Sequence, residues 1–221
     1  MTLPACVLFD LDGTLLDSLP GIESSVSAAF ASQGLPAPGA SLRSLIGPPI
    51  RTILAHAGNI TDEPTLNALE GAFRRHYDAE GWKRTFCFPD APRVLLSLRQ
   101  HGRRLFVVSN KPRHISLRIL EKESVLHLFE AVLTRDSRVP PYSGKAEMVR
   151  ELLVQQQIRP EDCALVGDTM EDGKAAAEVG IGFVYMIHGY GNLESLPVPP
   201  LVCLENFSQF LPMISEELVR D

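Results

Sequence analysis

The sequence predicts an α/β fold, a doubly wound parallel sheet with an inserted α-helical cap. Three observations carry this. Apolar runs of strand length recur along the chain, helical patterns alternate with them, and one early stretch breaks the alternation with helical pattern alone. Strand then helix, repeated, is how a parallel sheet with helices on both faces is built. Its strands are buried on both sides, so they read as continuous apolar runs instead of alternating ones.

The first run is "ACVLF" at 5–9. After it come "PGIESSVSAAFASQG", a Gly-Pro-Pro turn at 47–49 and "TLNALEGAFRRHYDAEG", all helical in pattern. Residues 16–87 are therefore read as the cap, and residues 1–15 and 88–221 as the core. "FPDAP" at 88–92 marks the return, with Pro89 and Pro92 punctuating a loop and a helix start. From there helix "APRVLLSLRQHG" leads to strand "RLFVVS" at 104–109, and "PRHISLRILEKE" to the shorter strand "EAVLT" at 130–134. Helix "GKAEMVRELLVQQQ" leads to "DCALVG" at 162–167, and "MEDGKAAAEVG" to "GFVYM" at 182–186. Gly102 and Gly180 stand where helices commonly stop, in a left-handed conformation that glycine adopts freely.

With 221 residues, 45% of them hydrophobic, the chain can bury a sizeable core. Twenty-seven acidic against twenty-one basic residues leave a net charge of −6. No basic stripe offers itself to a phosphate backbone, so nucleic acid is not the expected partner. Cys6, Cys87, Cys163 and Cys203 are scattered without CxxC spacing, as single thiols in a reducing compartment are. The N-terminus lacks a charged leader, and no stretch approaches the roughly 18 apolar residues of a membrane span. A soluble cytoplasmic monomer or homodimer, without a membrane partner, is expected.

The chemistry gathers at strand ends, on the edge where open α/β sheets bind ligands. Asp10 and Asp12 follow the first strand, and i, i+2 spacing in an extended chain turns both carboxylates one way. Gly13 permits a tight turn and Thr14 offers a hydroxyl at the bend. Two like charges so close repel unless a cation lies between them, and a hard cation such as Mg²⁺ takes one or two carboxylates, waters and a phosphate. Asp168 and Asp172 supply further acids at another strand end, where Asp168 or Thr169 would also cap the next helix. Ser109, Asn110 and Lys111 end a third strand as a phosphate cradle. Lys145 begins a helix, where the macrodipole disfavours a cation, which points to an anionic partner. In the cap, Arg51 is the substrate-binding candidate, "FRRHY" at 73–77 a solvated face, and Trp82, Phe86 and Phe88 the packing where cap rejoins core. Asp17 falls outside the acid pair, as a hinge or a cap of the helix at Pro20.

"DLDGTL", "VVSNKP", "GKAEMVRELL", "LVGDTMEDGKAAAEVG" and the late "HGYGNLESL", in this order, resemble the haloacid dehalogenase-like hydrolase superfamily. The likeness covers essentially the whole chain and is strongest to phosphoglycolate phosphatase-type members with a small helical cap, "IGPPIRTIL" being similar to a cap loop of that group. It implies Asp10 as nucleophile, forming an aspartyl-phosphate, and Asp12 as general acid and then base. It implies Mg²⁺ on the Asp10 carboxylate, the Asp12 carbonyl and Asp168, with Asp172 orienting Lys145 or a metal-bound water. Ser109 and Lys145 would neutralise the phosphoryl oxygens, with Thr14 and Asn110 as further phosphate contacts. Two departures stand out: prolines precede Lys145 instead of following it, which leaves Arg138 as the alternative cation, and His188 stands where a tryptophan is usual.

The implied activity is Mg²⁺-dependent hydrolysis of a small phosphorylated metabolite, 2-phosphoglycolate among them. A sugar-phosphate mutase uses the same motifs, and a non-catalytic regulatory relative would have lost Asp12 or Lys145. A dehalogenase does not require Asp12, and a phosphonate hydrolase calls for a cap lysine where only Lys83 is present. A signalling receiver domain would be about half this length. A dinucleotide enzyme would carry G-x-G-x-x-G after the first strand.

Overall fold

The computed structural model describes residues 3–39, 41–196 and 199–215. Its strands are β1 (Cys6–Phe9), β2 (Leu16–Asp17), β3 (Phe86–Cys87), β4 (Arg104–Ser109), β5 (Ala131–Thr134), β6 (Cys163–Gly167), β7 (Gly182–Met186) and β8 (Val202–Leu204). Six of them form a parallel sheet in the order β5-β4-β1-β6-β7-β8. This is the predicted α/β sheet. Chain order reverses at β1, which has β4 on one side and β6 on the other, with Phe9 in register with both Val107 and Val166. Asp10, Ser109 and Asp168 therefore stand at the carboxyl ends of three adjacent strands, at the switch point where such sheets form clefts.

The apolar runs split by pleat parity. Val7, Phe9, Val107, Val166 and Met186 pack with α4 (Ala91–Gln100), α5 (Arg113–Lys122) and α8 (Phe210–Ser215). Leu8, Phe106, Val108, Leu165 and Tyr185 pack with α6 (Lys145–Gln156) and α7 (Met170–Val179) on the other face. Both sides of each strand are thus dry, and truncating Leu8 or Phe106, each 0% exposed, to alanine costs about 2–5 kcal/mol.

A third cluster lies among α1 (Leu19–Ser32), α2 (Ile50–Gly58) and α3 (Glu63–Ala79), built on Ile22, Phe30, Leu54, Leu69 and Phe73. Ile115 of α5 and Tyr190 belong to it as well, so these helices are packed down onto the sheet end. Asp62 caps α3 by accepting from the Thr65 amide at 2.9 Å. Asn59 closes α2 in the left-handed conformation. The chain enters and leaves this unit through β2 and β3, which pair antiparallel, Leu16 with Cys87 and Asp17 with Phe86. Trp82 and Phe88 pack against the core as expected, whereas Phe86 is 53% exposed beneath the Lys122 ammonium. The expected solvated face at 73–77 is instead half inward, with Phe73 and Tyr77 buried. Among the described residues no helix is long and apolar enough to cross a membrane.

Candidate active site

Three strand ends and the start of α6 converge on one buried cluster. Asp10 is anchored as β1 ends, its amide donating to the Val166 carbonyl at 3.0 Å. The chain then turns at Gly13, whose φ of +84° suits glycine and where a Cβ would lie 2.3 Å from Asp168 Oδ2. Thr14 faces inward and gives its hydroxyl to Asp168 Oδ1 at 2.8 Å. The other Asp168 oxygen accepts from the Tyr190 amide at 2.8 Å. Gly191 makes this approach possible, since a Cβ there would lie 1.9 Å from the Asp168 carbonyl oxygen.

Lys145, at the first position of α6, reaches Asp10 Oδ1 at 3.0 Å and Asp172 Oδ1 at 2.5 Å. Gly144 before it is extended, so the helix starts at the site. Asp172 closes a capping box on α7: its Oδ2 accepts from the Thr169 amide and hydroxyl at 3.0 and 2.6 Å. Asp10, Asp168 and Asp172 each offer a carboxylate oxygen, all within 4.8 Å of one another. Three buried carboxylates face one buried ammonium. Burial pushes the Asp10 carboxyl well up, and Lys145 only partly opposes this while Asp172 and Asp12 add to it. Asp168 is raised the same way, by burial first and then by Asp172 and Asp10. Burial works against the Lys145 charge, but Asp10 and Asp172 outweigh it and hold the ammonium above the ordinary lysine value. An all-oxygen set with surplus buried negative charge fits a hard divalent cation such as Mg²⁺.

Asp12 departs from the expected shared position. It faces the same cavity as Asp10, yet its carboxylate lies outside the three-carboxylate cluster and pairs with Lys111 Nζ at 2.9 Å. Lys111 also donates to the Tyr77 hydroxyl at 2.9 Å and lies 4.8 Å from that ring centroid. Asp12 and Tyr77 keep this buried lysine charged against the cost of desolvation. The strand-end cradle of Ser109, Asn110 and Lys111 is thus modified: α5 starts later, at Arg113, and the lysine turns to Asp12 and to Tyr77 of α3.

Other site expectations are corrected by partners. Thr14 spends its hydroxyl on Asp168 instead of facing a phosphate. Asn110 lines the cavity, but its amide donates to both Glu171 oxygens, at 3.0 and 2.9 Å, and its buried carbonyl has no partner. Arg51 turns to Glu63, Glu70 and Asn67 and is not among the described residues lining the cavity, where Arg74 is. Arg138, the alternative to Lys145, pairs with Glu147 and Glu151. His188 is wedged 4.0 Å from the Phe88 ring, with Nε2 3.1 Å from the Thr14 carbonyl, and burial lowers its pKa. Tyr190 was visible only as part of "GYG". Its hydroxyl accepts from the Ser18 and Leu19 amides and donates to Asp17, fixing the linker into α1. Asp17 also accepts from the Leu19 amide at 3.3 Å, as a helix-start acid should.

The description "haloacid dehalogenase-like hydrolase" belongs to a family model that matches residues 7–186. The chain belongs to that family. Within the haloacid dehalogenase-like hydrolases it is similar to phosphoglycolate phosphatase of Vibrio cholerae, 31% identical over 198 residues, 86% of this chain and 87% of that protein. It is also similar to the tyrosine-protein kinase PtkA of Mycobacterium tuberculosis, 34% identical over 192 residues, 86% of this chain but 65% of that longer protein. Among solved structures, a haloacid dehalogenase-like family hydrolase from Streptococcus pneumoniae superposes with a TM-score of 0.85 at 25% identity, covering 95% of this chain and 97% of that one.

Proposed function

We propose that this haloacid dehalogenase-like hydrolase is a Mg²⁺-dependent phosphomonoesterase, acting on a small phosphorylated metabolite through an aspartyl-phosphate. One observation carries the reading. Two carboxylates two residues apart face one cavity but are held by different lysines, Asp10 by Lys145 and Asp12 by Lys111. Different partners suit different tasks. Asp10, desolvated and aimed by Lys145, attacks phosphorus; its Oδ–P bond forms as the ester P–O bond breaks. Asp12, steadied through one oxygen by Lys111, gives a proton to the departing alkoxide and then takes one from the water that cleaves the aspartyl-phosphate. Ser109 and Lys145 line the cavity and would lie beside the phosphoryl oxygens, where donors fixed beforehand in a dry site contribute most. The Asp10 and Asp168 carboxylates and the Asp12 carbonyl would hold Mg²⁺, which would neutralise phosphoryl charge when bound. Asp172 orients Lys145, whose ammonium donates to its Oδ1 at 2.5 Å.

The name of the Vibrio cholerae relative makes 2-phosphoglycolate the first metabolite to assay. The place of action is the cytoplasm, where the four free cysteines stay reduced. Purified protein should release phosphate from p-nitrophenyl phosphate with Mg²⁺ and lose this in Asp10→Asn. Undiminished turnover in that variant, or in excess chelator, rules the mechanism out.

A further inference from the structure

The cavity above the acidic cluster encloses about 460 Å³ and has two unlike halves. The sheet side carries the polar groups already described. The other side is walled by Ile22, Ile46, Ile50, Ile53 and Phe73, with Ile115 from α5. Phe73 stacks on Tyr77, ring centroids 5.3 Å apart and planes 15° from parallel, and makes a flat aromatic surface next to the Lys111–Asp12 pair.

At this end Arg74 and Lys111 are each paired with a carboxylate. Arg74 is bound to Glu70 at 2.6 Å, and Asp78 to His114 at 3.2 Å. Lys111 is committed to Asp12 and Tyr77. Arg135, on the loop after β5, donates through Nε to the Tyr142 carbonyl. Around the whole cavity five carboxylates (Asp10, Asp12, Asp78, Asp136, Glu171) face four permanent cations (Arg74, Lys111, Arg135, Lys145). A leaving group with its own carboxylate would give up water for isoleucine and phenylalanine, with no new partner of opposite charge on that wall. An apolar ring would cover the same wall and gain from doing so.

We infer that the phosphate ester this site favours has an uncharged, apolar leaving alcohol of ring size, not a small hydroxy acid. The inference rests on the phosphomonoesterase reading and specifies its substrate. Specificity then lies in the isoleucine wall and the Phe73–Tyr77 stack, while the phosphoryl half is indifferent to what the alcohol carries.

The test compares esters of primary alcohols of similar basicity, so that intrinsic reactivity cancels: benzyl, ethyl and 4-carboxybenzyl phosphates and 2-phosphoglycolate, each with Mg²⁺. Benzyl phosphate should exceed ethyl phosphate and 2-phosphoglycolate in kcat/KM by about 10- to 100-fold, the worth of burying one ring. The added carboxylate of 4-carboxybenzyl phosphate should remove that gain. Phe73→Ala should narrow the benzyl-to-ethyl ratio. Phe73 also belongs to the cap core, so Ile50→Ala, at a half-buried position, is the second variant and should narrow the ratio on a folded protein. Turnover of ethyl phosphate or 2-phosphoglycolate equal to or above that of benzyl phosphate overturns the leaving-group inference and leaves the phosphomonoesterase standing. An unchanged ratio in both variants overturns the assignment of specificity to this wall. No turnover of any of the four esters overturns both.

Discussion

Lys111 joins Asp12 to the helices above it. Its ammonium binds Asp12 below and Tyr77 above, and neither contact is visible in the sequence, where Tyr77 and Lys111 are 34 residues apart. Tyr77→Phe removes the buried bond from the Lys111 ammonium and a second with the Thr85 hydroxyl, and a stability loss of at least about 1.5–3 kcal/mol in urea unfolding is expected. A loss within error would mean that the hydroxyl makes no net contribution. In Asp12→Asn the turnover rate should fall by roughly 10²–10⁴ while Mg²⁺ affinity holds, because the proposed ligand at this residue is the carbonyl. Collapse of that affinity by calorimetry would reassign the carboxylate. Asp10, Asp168 and Lys145 were readable because each directly ends a strand or starts a helix, where local pattern fixes direction. Thr14 and Arg51 have contacts that the sequence does not show, for the opposite reason. Their side chains had nearer partners, Asp168 and the Glu63–Glu70 pair, which only folding brings within reach.

At the level of elements, the loop after β7 is as much a part of the site as the strands. Tyr190 gives its amide to Asp168 and Gly191 lies against the Asp168 backbone. Gly191→Ala therefore cannot keep both, and should lower Tm and weaken Mg²⁺ binding together. Gly144→Ser is the contrast: a Cβ there meets nothing within 4 Å, the residue is extended, and serine is a good helix start. Stability of this variant should be unchanged or slightly raised in thermal melts, and a marked drop would show that Lys145 needs the bare glycine. Long apolar strands and their helices were legible to within a residue or two, since each buries its own pattern. β8, with three residues, and β2 and β3, with two each, were not. Such short strands have no period to read and exist only through partners distant in sequence.

For the whole molecule, the buried acids tie stability to pH and to metal. Without metal, Asp10 and Asp168 are pushed up to about 7 and about 8. The folded protein then holds protons that the unfolded chain releases near pH 4, so metal-free stability falls as pH rises from about 4 to about 8. Mg²⁺ favours the ionised carboxylates, and its stabilising effect should grow across that window. At 100 times its Kd it contributes about 2.7 kcal/mol, a Tm rise of about 5–10 °C at pH 8 for a chain of this size. An equal rise at pH 5 and pH 8 would count against the cluster as the binding site. The paired entrance and exit of the helical segment α1–α3 have a consequence of another kind. Because Leu16 lies beside Cys87, with Phe88 bonded back to Leu15, residues 18–85 form a closed excursion whose two ends stand one strand spacing apart. Such an excursion can be exchanged for another of different length or lining without re-aiming β1 or α4. What the exchange must preserve is the Tyr77 hydroxyl, or another acceptor in its place, for the Lys111 ammonium that holds Asp12.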